Sequence, residues 1–207
     1  PEIRELDINP LLADEHGVIA LDARVVVTNG PLVADATFSH LAIHPYPRAL
    51  TRHIELKGGE KVVLRAIRPE DAEAERRFIG RLSARTSYLR FHAPVRELTV
   101  ERLVRYTQID YDREMAFVAI DVSGEHEAIR GISRYTRNPD GKTAEFGVIV
   151  EDAWQGRGVG HVLMQAIEDT ARARGIAELI GLVLKDNDEM GVMMRKRGYA
   201  PHRDDED

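Results

Sequence analysis

The pattern of apolar and polar positions changes character twice along the chain. In residues 2–27, Ile3, Leu6 and Ile8 and then Val18 to Val27 flank Asp14-Glu15-His16-Gly17, which reads as strand, turn, strand. A lone hairpin of this size is too small to fold by itself. Residues 29–56 hold Pro31, Pro45 and Pro47 and lack a clean period, so they read as a connector. This makes residues 1–28 a terminal hairpin and puts a domain boundary near Lys57. Beyond it the pattern is mixed α/β. Val62 to Ile67 predicts a strand, and Pro69, Glu70 and Asp71 supply a proline and two acids for a first helical turn, in a helix reaching about Ile79. Ser83–Phe91 and Thr99–Thr107 predict two more helices, the second opened by an N-cap threonine. Ala116–Asp121, Ala128–Tyr135 and Thr143–Val150 are separated by Ser123-Gly124 and Asn138-Pro139-Asp140-Gly141 turns, and together predict an antiparallel meander. Val159, Val162, Leu163, Ala166, Ile167, Thr170 and Ala171 then recur at helical spacing, with Arg172, Arg174 and Gly175 closing the helix. Ala177–Leu184 predicts a last strand, and Met190, Met193 and Met194 read as the core side of a final helix.

Composition narrows the function classes. The chain has 207 residues, 43% of them hydrophobic, and a net charge of -6, so it can bury one sizeable core. Acids outnumber bases in the first fifty residues and again in Arg203–Asp207, which argues against non-specific nucleic-acid binding. With no cysteine, disulfides, thiolate metal sites and cysteine nucleophiles are excluded. Apolar runs are of strand length and no basic leader or hydrophobic signal core opens the chain, so the reading is no membrane segment and a cytoplasmic location. A start at Pro1 and a stop shortly after Gly198 are read as the ends of a fragment. Only His40 and His44 have i, i+4 spacing, and in a proline-bearing connector they predict no metal site.

The chemistry concentrates in Ala144–Gly160, AEFGVIVEDAWQGRGVG, where a strand runs into a glycine-rich loop and then a helix. At a helix N-terminus, unpaired backbone N–H groups and the positive dipole end converge on an anion. Gly156, Gly158 and Gly160 let a diphosphate approach the backbone without obstruction. The P-loop pattern fails for want of a lysine after the glycines, and the dinucleotide fingerprint fails because His161 stands where its third glycine belongs.

What remains is Q-x-x-G-x-G, at Gln155, Gly158 and Gly160, which resembles the acetyl-CoA pyrophosphate loop of the GNAT acetyltransferases. Asn187 and Met190, ahead of Gly198-Tyr199, fit that family's N-x-x-M pattern. The segments Leu82–Phe91 and Gln108–Glu114 look like the bacterial protein-lysine acetyltransferases called Pat, in which a GNAT domain is often fused to an acyl-CoA synthetase-like region. Glu5-Leu6-Asp7-Ile8-Asn9-Pro10-Leu11 with Ala20-Leu21-Asp22-Ala23 is similar to the end of the ATP-grasp domain of ADP-forming acyl-CoA synthetases, whose Mg²⁺-holding asparagine and aspartate would be Asn9 and Asp22. Two such ligands do not make a metal site, and the hairpin is read as a severed remnant.

These resemblances imply an α/β (mixed α+β) GNAT acyl-CoA N-acyltransferase fold, with a central, mostly antiparallel mixed sheet flanked by helices, over residues 57–207. Pro201–Asp207 is too short for the usual last hairpin, implying an open sheet edge. They imply acetyl-CoA as donor co-substrate, held by Gln155, Gly156, Arg157, Gly158, Val159 and Gly160 at its phosphates. Val148, Ile149 and Val150 would offer free backbone groups to its pantetheine arm, and Asn187 would orient that arm. The acceptor would be an amine, in the first place a lysine of a protein such as an acyl-CoA synthetase. A small amine is the alternative acceptor, and a non-catalytic acyl-CoA sensor the alternative role. A free lysine at pH 7 is almost wholly protonated, a penalty of about 4.6 kcal/mol. The family resemblance makes Glu145 the base that removes the proton. Where many GNAT enzymes carry a tyrosine acid this chain has Val192, Met193 and Met194, so no general acid is identified.

Overall fold

A computed structural model describes residues 3–27, 44–93, 95, 97–124 and 127–201. Pro31, His40 and the acidic tail lie outside the described residues. The chain divides into two compact units, 1–42 and 43–207.

The first unit is a long hairpin. Strand β1 (Ile3–Ile8) pairs antiparallel with β4 (Ala23–Val27), and β2 (Leu11–Asp14) with β3 (Gly17–Ala20). The tip is tied by Asp14, whose Oδ1 accepts the His16 and Gly17 N–H groups at 2.7 and 3.0 Å. Asn9 N–H donates to the Asp22 carbonyl, so the two residues named as Mg²⁺ ligands are cross-strand neighbours. No group of three or more metal-ligating side chains occurs among the described residues.

In the second unit a six-stranded sheet runs β10-β9-β8-β7-β6-β5. Its strands are β5 (Arg52–Glu55), β6 (Lys61–Ala66), β7 (Glu114–Asp121), β8 (Ala128–Arg137), β9 (Thr143–Val150) and β10 (Glu178–Ile180). Every pairing is antiparallel except that of β10 with β9. The mostly antiparallel mixed sheet is therefore present. Two sequence readings are corrected. Arg52–Glu55, taken as connector, pairs with β6 and belongs to the sheet. The strand read over Ala177–Leu184 shrinks to Glu178–Ile180 because β9 beyond Glu145 has no partner on that side.

Helices cover both faces. These are α1 (Ala72–Gly80), α2 (Ala84–Phe91), α3 (Val100–Thr107), α4 (Val159–Ala173) and α5 (Asp188–Lys196). On β8, Ser133 Oγ donates to the Leu163 carbonyl of α4 at 3.1 Å, while Arg134, one residue on, reaches Glu75 of α1. Alternation thus sends odd positions of β8 toward α4 and even ones toward α1. With cover on both sides, β7 is buried from Met115 to Asp121, which is why MAFVAI reads as a continuous apolar run. Ser83 caps α2 and Thr99 caps α3, each accepting a backbone N–H of the first turn. The Arg65 guanidinium forks onto the Asp71 carboxylate at 2.7 and 2.6 Å, linking β6 to the turn before α1. No described helix is long and apolar enough to cross a membrane.

Candidate active site

The glycine-rich loop lies where the sequence predicts it, between β9 and α4. Gly156 and Gly158 take φ of +73° and +97°, left-handed values that a side chain would strain, and Gly158 is the N-cap of α4. No side chain among the described residues caps this helix. Val162 N–H is the donor to the Gly158 carbonyl, which leaves the N–H groups of Val159, Gly160 and His161 without an earlier intrahelical acceptor. Three donors and a dipole end therefore face a cleft of about 780 Å³.

The cleft runs along the edge that β9 frees where β10 ends. Val148, Ile149, Val150, Gln155, Gly156, Gly158, Gly160 and Asn187 all line it. The three strand residues are not equivalent. Glu151 N–H donates to the Arg130 carbonyl on β8, so by alternation the Ile149 backbone also faces β8. Val148 and Val150 face outward, and the Val150 carbonyl accepts from Gln155 Nε2 at 3.1 Å. Val148 alone keeps both backbone groups open to the cleft.

Arg157 and Val159 do not line the cleft. Arg157 pairs with Glu60 at 2.6 Å and stacks 5.5 Å from the Trp154 ring, whose neighbourhood also holds the Arg130 guanidinium at 5.0 Å. This brace fixes the loop's shape. Val159 is 1% exposed and anchors α4 in the core, so only its N–H is available. Asn187 accepts the Met190 N–H at 3.2 Å and thereby caps α5. Glu145 sits in β9 on the face shared with Gly147, toward α2, and is exposed. It does not line the cleft, and no described residue bonds its carboxylate.

Sequence reasoning missed three features. Asp152 accepts from Ser83 N–H and Oγ at 3.0 and 2.6 Å and from Thr86 Oγ1 at 2.7 Å. It holds the start of α2 against the glycine-rich loop, and these bonds keep its carboxyl below the ordinary value against the opposing effect of burial. The partners lie 66 and 69 residues away, so no local signal marks the latch. Arg90 of α2 lines the cleft and lies flat on Gly147, where an added Cβ would meet its Cζ at 2.6 Å. Glu75 of α1 is 2% exposed, with Arg134 at 3.4 Å from Oε1 and no described residue bonded to Oε2. Burial pushes its carboxyl up to about 7, outweighing the long Arg134 contact. Its signal was available: Asp71, Glu75, Phe78 and Ile79 share one helical stripe, and all four are buried.

With this geometry in place, comparison with known proteins is decisive. The profile of the acetyltransferase (GNAT) family matches residues 73–199. An acetyltransferase of Pseudomonas aeruginosa is 35% identical over 153 residues, 73% of this chain and 82% of the relative. The chain belongs to the GNAT acetyltransferase family. Acetyltransferase Pat of Mycolicibacterium smegmatis is 31% identical over 153 residues, but the chain spans 45% of that relative's length. The crystal structure of the GNAT domain of S. lividans PAT superposes with a TM-score of 0.72 at 30% identity, covering 79% of this chain and 95% of that one. An ATP-grasp domain profile matches residues 1–27. The GNAT fold, and an acyltransferase enzyme, follow from these matches.

Proposed function

We propose that the second unit transfers an acetyl group from acetyl-CoA to an amine, in the first place a lysine side chain of a protein. The observation that carries this is the glycine loop at the start of α4, opening onto a cleft bounded by a free strand edge. A diphosphate is met there by unpaired N–H groups, and a pantetheine amide by the outward groups of Val148, as an added strand. Acetyl-CoA supplies the thioester. Asp186, Asp188 and Glu189 at the cleft wall favour a cationic ammonium approaching from that side. A protein lysine as acceptor is supported by the Pat-like segments Leu82–Phe91 and Gln108–Glu114.

Glu145 takes the ammonium proton, directly or through water, in this reading. The neutral amine then forms a C–N bond to the carbonyl carbon as the C–S bond breaks; coenzyme A leaves as a thiolate, and the second nitrogen proton passes to solvent as the amide forms. With a thiol pKa of about 8.5, no protein acid is required for that departure. Glu145→Gln is expected to lower kcat by about 10²-fold or more while sparing acetyl-CoA affinity, with partial recovery at high pH. Steady-state kinetics with calorimetry on the same samples tests this. An unchanged kcat on lysine substrates removes Glu145 from the mechanism, and acetyl-CoA binding without turnover on any amine favours an acyl-CoA sensor instead.

A further inference from the structure

Arginine that is buried or half-buried in this domain is otherwise consistently partnered among the described residues. Six other arginines are buried or half-buried among the described residues, and each is bonded. Arg65 holds Asp71, Arg130 holds Asp121 and Glu151, Arg134 holds Glu75, and Arg197 holds Glu168. Arg137 and Arg174 donate to backbone carbonyls. Arg90 is half-buried too, yet no described residue accepts a hydrogen bond from it or pairs with it. Its nearest aromatic contact is a long one, 5.6 Å to the Phe91 centroid.

Its surroundings make this costly. Burial first, and then the like charge of Arg134, hold the Arg90 guanidinium below the ordinary arginine value, while Glu145 works the other way from an exposed position. Glu75 is committed to Arg134 and is itself pushed toward its neutral form. A half-buried cation without a fixed counter-charge is retained where a ligand provides one. Arg90 also stands in the right place to be met. It lines the cleft, and it lies against Gly147 immediately before Val148, the residue that keeps both backbone groups free. The absence of a side chain at Gly147 is what lets the guanidinium lie against the strand.

We propose that Arg90 seats a carboxylate that one of the two substrates carries into the cleft, on the acyl chain of the donor or beside the amine of the acceptor. The assignment rests on the acyl-transfer reading for what enters the cleft, and it narrows the substrate class to an acid-bearing one. A planar fork facing a carboxylate makes paired, charge-assisted bonds that lysine does not reproduce.

Calorimetry on the 207-residue protein tests this in two arms, each comparing an acid with a neutral counterpart of similar size. The donor arm titrates succinyl-CoA against butyryl-CoA. The acceptor arm titrates, onto protein saturated with coenzyme A, a peptide ending in lysine with a free α-carboxylate against the same peptide as its C-terminal amide. In one arm the wild type is expected to favour the acid about tenfold or more, a preference that falls close to unity in Arg90→Gln and survives in part in Arg90→Lys. That arm identifies the source of the carboxylate. Arg90→Gln is expected to melt no lower than wild type, since it removes an unpaired cation. Equal ratios in wild type and Arg90→Gln in both arms overturn the proposal, as does a variant that unfolds because the side chain is structural. Both arms read binding alone. Loss of turnover on every amine, with the acid preference intact, therefore defeats the acyl-transfer reading and leaves this one standing.

Discussion

Replacing Glu75 with glutamine is expected to change how the stability of this domain depends on pH. The carboxyl is 2% exposed, and burial moves its pKa from the ordinary 4.5 to about 7. Between those values the folded state holds the proton that the unfolded chain releases, so stability falls as pH rises. The fall is complete above the folded value and absent below the unfolded one. At about 1.4 kcal/mol per unit, a shift of this size corresponds to about 3 kcal/mol. The substituted glutamine has no proton to lose and keeps an oxygen for Arg134. The stability of Glu75→Gln relative to wild type should therefore rise by about 3 kcal/mol between pH 4.5 and 7 and stay level above that. The absolute offset depends on how well the amide packs, but the pH-dependent part does not. Urea denaturation of both proteins at several pH values across this window measures it. A difference that stays flat from about pH 4.5 to 8 would refute the raised carboxyl and, with it, the claim that burial outweighs the 3.4 Å contact with Arg134.

Two more expectations concern the cleft, beside the loss of kcat in Glu145→Gln. Gly158→Glu should abolish detectable acetyl-CoA binding, through strain at a φ of +97° and a like charge at the phosphates; normal affinity by calorimetry would remove the loop from the site. Asp152→Ala frees Ser83 and Thr86, so it should raise the KM for acetyl-CoA several-fold with a smaller change in kcat. A kcat effect without a KM effect would show that the latch does not shape the donor site.

Local chemistry was legible in the sequence because it depends on neighbours in the chain. The capped helices, the meander and its turns, and the glycine-rich loop between a strand and a helix follow from hydrophobic period, cap residues and glycine spacing, which act over a few residues. A strand, a loop and a helix that follow one another must share one end, and Val148, Ile149, Val150, Gln155, Gly156, Gly158 and Gly160 accordingly line one cleft. Tertiary structure decided the rest. β10 ends where its pairing with β9 ends, at Ile180 opposite Glu145, and a strand's length is set by its partner as much as by its own residues. Arg157 could be read as a phosphate contact from its position in the loop, yet Glu60, far away in sequence, claims it. Asp152 and Arg90 look in sequence like ordinary surface charges, and the stripe that marks Glu75 as buried does not name its partner. Their roles come from partners brought over 59 to 69 residues, or from the lack of a partner at a half-buried place. Burial and long-range charge are properties of the packed chain, and a linear pattern fixes which face a side chain takes but not what it meets there.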